Sequence, residues 1–195
     1  QDTLAANEIL KLFLLFIALA LDGYANAVSA LAGSAWSARH QGEFQECVRV
    51  LTVWAVLTAL ALTVLFGAGG TVLLSWLTDL PQVFAIAQQY LWWIVAMPLI
   101  SMWCFILDGI FIGTTETRYM RNNMIIAVLA IFLPVWWFSR SYGNHGLWLS
   151  MLCFFASRGV GLGWVFYRRY WAIDWSVADG VYSLVSKTQC ESKQD

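Results

Sequence analysis

Charge is scarce in this chain. Asp, Glu, Lys and Arg make up only 12% of its 195 residues, whereas 60% are hydrophobic. A soluble domain carries about 25% charged residues, so a water-soluble fold and a disordered chain are both excluded. Neither sign is in excess: a net charge of −1 offers no basic field for phosphates and excludes nucleic acid as a partner. Histidine is scarcer still, with only His40 and His145, which fall in loops at opposite faces. With no HExxH or GxSG pattern, an enzyme is not expected. Cys47, Cys104, Cys153 and Cys190 lack metal-site spacing and read as small packing residues, so no metal is expected. The alternation of a membrane barrel is missing too.

What the chain has is long greasy runs. A helix crosses the hydrocarbon with about 20 apolar residues. Joining the runs across the single charges Asp22, Asp108 and Arg158 gives five spans, over 9–36, 48–77, 83–114, 121–139 and 145–168. The expected fold is an all-α, polytopic membrane protein over 1–171, followed by a short polar tail over 172–195. Thr78-Asp79-Leu80-Pro81 supplies a capping residue and a helix-starting proline. Ser141-Tyr142-Gly143-Asn144 reads as a tight turn. The polar stretch Gly42–Arg49 (GEFQECVR) is expected to lie at the water interface before the second span. Trp92, Trp93, Trp136, Trp137, Trp148, Trp164 and Trp171 fall near span ends, as an aromatic belt does.

Orientation follows from Lys and Arg. Arg39, Arg49, Arg118, Arg121, Arg168, Arg169, Lys187 and Lys193 fall on one side, against Lys11 and Arg140 on the other. The C-terminus is therefore expected in the cytoplasm and, with five spans, the N-terminus outside. Starting outside without an initiating Met, the chain reads as a fragment that has lost earlier spans.

A charge at the bilayer centre costs about 2.5–3.5 kcal/mol on insertion scales, so each one kept there needs a reason. Asp22 and Asp108 share the tripeptide Leu-Asp-Gly, 86 residues apart, a weak sign of duplication. Asn26 lies one turn from Asp22, and Ser101, Asp108 and Thr115 fall on one helix face. Ala25, Ser29, Gly33 and Ser37 recur every four residues, and Gly109/Gly113 and Gly159/Gly163 repeat the pattern, as in closely packed membrane helices. Asp108 and Arg158 each precede an arginine, Arg118 and Arg168, by ten residues. Both therefore sit roughly 15 Å from one membrane face. A buried Asp108–Arg158 ion pair is expected, with Asp22 as the competing acid. Pro98 and Pro134 fall inside spans, where each can bend its helix.

The stretches LAANEIL, LDGYANAVSALAGSAWSARHQGE, MWCFILDGIFIGTTETRYMRNNM and NHGLWLSMLCFFASRGVGL closely resemble the C-terminal half of multidrug and toxic compound extrusion (MATE) transporters, in their DinF-like branch. The resemblance covers roughly residues 3–171. It implies helices eight to twelve of twelve, with LAAN as the link between helices seven and eight, and a missing N-terminal lobe. It further implies secondary efflux of small organic cations across the cell inner membrane by H⁺ or Na⁺ antiport, with no cofactor besides the coupling ion. Asp22, Asn26, Asp108 and Arg158 are the candidate cation- or substrate-linked residues. The resemblance puts the coupling Asp of the DinF branch in the missing first helix, so the other reading of Asp22 and Asp108 is a structural role in helix packing. The NorM branch carries an acid in the tenth helix that falls near Ser101 here, so that ligand is lacking. A lipid-linked oligosaccharide flippase and a non-transporting membrane fragment are the alternatives.

Overall fold

Backbone polar groups have no water to bond in hydrocarbon, and this chain answers with helix almost throughout. A computed structural model describes residues 2–171. It contains α1 (Asp2–Ser37), α2 (Gln41–Leu77), α3 (Pro81–Gly113), α4 (Thr117–Tyr142) and α5 (Asn144–Trp171), each long and apolar enough to cross a membrane. No strand occurs among the described residues. The expected tail over 172–195, with Cys190, lies outside them.

The helices run further than hydropathy alone marks. α1 starts at Asp2 instead of residue 9, because Ala6 and Leu10 are buried against the bundle and extend the packed face past Lys11. Leu4-Ala5-Ala6-Asn7 is therefore helix and not a link. Gly42–Arg49 is not a separate interfacial piece either. It forms the first turns of α2, opened by the Phe44 N–H donating to the His40 carbonyl, with Phe44 and Val48 buried. Its amphipathic pattern belongs to the end of a membrane helix. α4 likewise begins four residues before position 121, at Thr117.

Two connections are built alike. α1 ends in Ala38-Arg39-His40 and α3 in Thr114-Thr115-Glu116, with Arg39 and Thr115 at φ of 59° and 61°. In each, the left-handed residue's N–H donates three residues back and the next N–H five back: Arg39 to Trp36 and His40 to Ala35, then Thr115 to Ile112 and Glu116 to Phe111. These bonds satisfy helix-end carbonyls. Thr115 has therefore left the helix, and the expected Ser101–Asp108–Thr115 face stops at Asp108. The two turns are 76 residues apart, whereas the Leu-Asp-Gly pairs are 86 apart, so the tripeptides do not mark equivalent positions in a repeated hairpin. At the opposite end, Pro81 opens α3 as expected; the cap is Leu80, whose N–H donates to the Thr78 hydroxyl at 3.3 Å. Gly143 turns α4 into α5 at φ 59°, ψ −130°, which favours glycine.

By compactness the chain divides into Gln1–Gly163 and Trp164–Asp195. In the first unit α3 is central, packed by α1 and α2. The main core joins Leu10, Phe13 and Ile17 of α1 to Phe66 of α2 and to Tyr90, Ile94 and Met97 of α3. Pro98 is buried within α3. In α4 the turns over Ala127–Phe132 are wider than α-helical, and Pro134 follows at once. The proline cannot donate to a carbonyl four residues back, and widening is one way a helix absorbs such a break. Of the expected belt, Trp92 and Trp137 are exposed, but Trp148 is buried, with its Nε1–H donating to Asn7 Oδ1 at 3.2 Å. In the second unit, the Arg168 guanidinium lies 4.6 Å from the centre of the Trp164 ring.

Candidate functional site

Close backbone approach positions the charges. A Cβ on Gly109 would collide with the Ala25 carbonyl, and one on Gly113 with that of Ser29. On Gly33 it would stand 2.7 Å from the Gly113 oxygen. The small-residue stripes therefore serve to bring α1 and α3 together, side by side and parallel. With Ala25 opposite Gly109, Asp108 is level with Tyr24, so Asp22 lies only about 3 Å away along the axis. The two acids share a depth even though the turns beyond them do not correspond.

Asp108 and Arg158 meet. The guanidinium NH2 donates to Oδ2 at 2.5 Å, with side chains only 16% and 13% exposed. The Cys104 thiol, one turn up α3, donates to the same oxygen at 3.5 Å. Among the described residues Asp108 Oδ1 and Arg158 Nε are buried without a partner, so the pair is joined by one arm of the fork that arginine and carboxylate can form. The Arg158 guanidinium also lies 5.4 Å from the Phe154 ring centre.

Asp22 and Asn26 stand apart from this pair. Both are exposed on α1, and neither makes a side-chain hydrogen bond among the described residues. Ser101, where an acid is absent, is buried with its hydroxyl donating to the Met97 carbonyl at 2.8 Å.

Spacing alone missed several contacts. Cys104 is a packing residue, as expected, but also touches the acid. Asn123 of α4 donates Nδ2 to the Arg158 carbonyl at 3.0 Å; its only signal was an amide near the start of a span. At the end of the bundle holding Gly143, Asn7 and Asn144 exchange two amide hydrogen bonds of 2.8 Å. His145 lies in the first turn of α5 there, accepting from Trp93 Nε1 at 3.2 Å and packing its ring 4.6 Å from Tyr90. An apolar groove of about 540 Å³ runs between α1, α3 and α5, lined by Leu15, Ala18, Met97, Phe105, Met151 and Phe155.

Five helices long and apolar enough to cross a membrane, with an ion pair between two of them, define a polytopic membrane protein. The MatE family model matches residues 1–138, and the chain belongs to that family of membrane transporters. It is 37% identical to DNA damage-inducible protein F of Escherichia coli (strain K12) over 88% of this chain and 37% of that protein, which makes it a DinF-like member. It is also 23% identical to Protein DETOXIFICATION 45, chloroplastic, of Arabidopsis thaliana, over 80% of this chain and 28% of that one. The chain thus spans about a third of the length of these curated relatives. No solved structure matches it.

Proposed function

We propose that this chain forms most of the C-terminal lobe of a secondary efflux transporter of the inner membrane. A preceding N-terminal lobe completes it, and the end bearing Arg39 and Arg118 faces the cytoplasm. Inward movement of H⁺ or Na⁺ drives small organic cations outward. The observation that carries this reading is Asp22, an acid exposed midway along a membrane span and level with an ion pair that is already neutral. Facing lipid would cost it about 2.5–3.5 kcal/mol or more. The Asp22–Asn26 face therefore belongs against a water-filled cavity, where one carboxylate can be claimed in turn by the coupling ion and by a cationic substrate. Asp108 is spoken for by Arg158 and acts structurally.

A flippase for lipid-linked oligosaccharide calls for free cationic groups in the cavity, and Arg158, the cation at the depth of Asp22 and Asp108, is committed to Asp108. The test compares Asp22→Asn with Asp108→Asn in the assembled transporter, following substrate export against an imposed ion gradient. Asp22→Asn is expected to weaken coupling by roughly 5–150-fold, the usual span of such linkages, with Asp22→Glu retaining most of it. Gradient-driven export at the wild-type rate in Asp22→Asn refutes the assignment. Resistance conferred by these 195 residues expressed alone refutes the need for a second lobe.

A further inference from the structure

The ion pair hangs on one N–H···O contact, because Arg158 Nε and Asp108 Oδ1 find no partner among the described residues. A single contact tolerates little rotation of α5. At the outer radius of a helix, about 5–6 Å, a turn of roughly 20° moves a side-chain head by about 2 Å, enough to break it. Near Arg158 the packing of α5 on α3 does not supply that control, and the hydrogen bonds that orient the other end of α5, Trp93 to His145 and Trp148 to Asn7, lie turns away from it. Gly159 rests against the Trp103 Cβ, and Gly163 has Leu107 Cδ1 nearby. Such smooth apolar contacts are not directional.

At the level of Arg158 the directional contact is on the far side. Asn123 of α4 donates to the carbonyl of Arg158 itself, at 3.0 Å. Its amide oxygen occupies the place where a side chain on Gly161 would begin, since a Cβ there collides with Asn123 Oδ1. Residue 158 is thus tied through its main chain to α4 and through its side chain to α3. Lipid offers no competing donors, so the amide bond persists where a surface one would exchange with water.

We propose that Asn123 is a positioning residue for the ion pair: seated in the notch left by Gly161, it fixes the rotation of α5 so that the guanidinium of Arg158 reaches Asp108. Its consequence for transport rests on the efflux reading above; the geometric claim does not.

The experiment uses the whole purified transporter in lipid. The infrared carboxylate band of Asp108 is assigned by its disappearance in Asp108→Asn, and its unpaired position is fixed by Arg158→Gln. Asn123→Leu keeps the notch filled but removes the donor, while Asn123→Ala empties it; reading both covers the case in which one fails to fold. In either folded variant the band is expected to move to the Arg158→Gln position. A residue that only fills space would lower the melting temperature and leave the band in place, and that result overturns the proposal. The companion check is Gly161→Ala, which should shift the band by displacing the Asn123 amide, and which should lower the melting temperature less on an Asn123→Ala background, where the notch is empty. A band that moves while ion-coupled export stays at wild-type level keeps Asn123 as the positioning residue and removes the pair from the transport cycle.

Discussion

α1 and α3 touch in two different ways along their length. Towards the Arg39 end the contact is backbone on backbone, with Ala25, Ser29 and Gly33 facing Gly109 and Gly113. Towards the other end it is made by large side chains, with Leu10, Phe13 and Ile17 meeting Tyr90, Ile94 and Met97, and a groove of about 540 Å³ opens beside them. Lipid is as apolar as leucine, so neither half gains from hydrophobic transfer in the way a soluble core does. The glycine half is held by close van der Waals approach that admits no extra atom. The side-chain half is held by shape that neighbouring rotamers can adjust. Asp22 and Asp108 sit where the first mode gives way to the second. That places the charges between a half packed backbone to backbone and a half whose side chains can adjust.

The largest effect is expected at this junction. Arg158→Leu leaves the Asp108 carboxylate largely buried and alone, and should destabilise the folded transporter by about 3–5 kcal/mol, read from denaturant unfolding in detergent. Replacing both partners, Asp108→Leu with Arg158→Leu, should recover most of that loss. Equal losses in the single and double variants would show that the pair is not the source. Next comes the glycine half. Gly113→Ala forces a methyl group onto the Ser29 main chain, which cannot rotate away, and should cost about 1–3 kcal/mol. Free tolerance of Gly113→Ala in the same assay would mean that α1 and α3 stand further apart.

How much of this was legible in the sequence follows the same division. Runs bounded by charges gave the five spans, because hydrocarbon imposes a length rule on every helix. Stripes of small residues were visible for the same reason, since only Gly, Ala and Ser permit close approach. The Asp108–Arg158 meeting was legible too: equal distance from basic span ends implied equal depth, and unpaired charges in lipid are costly. Helix ends were not. Ala6 lies before Lys11, outside any apolar run, and stays helical through contacts that local composition does not record. Asn123 and Trp148 were missed because their partners, the Arg158 carbonyl and Asn7, are 35 and 141 residues away. The Leu-Asp-Gly match suggested duplication, but what repeats is backbone geometry at Arg39 and Thr115, in residues that share no identity.

The side-chain half supplies the milder tests. Ile17→Val removes one methylene from a fully enclosed residue and should cost about 0.5–1.5 kcal/mol. A value at the lower end is expected, because Met97 and Phe105 border the groove and can relax into it.

The smallest effect is expected at Gly69 in α2, where an added Cβ meets nothing within 4 Å. Here the comparison can be broken from the opposite direction. If close approach is what a glycine contributes at 109 and 113, then a glycine without neighbours contributes only the chain entropy that helix formation must overcome. Gly69→Ala should therefore stabilise, by about 0.5–1 kcal/mol, measured as a rise in melting temperature with unchanged export. Destabilisation there would place a helix against this face of α2 in the assembled transporter, and the backbone-on-backbone mode would extend beyond α1 and α3.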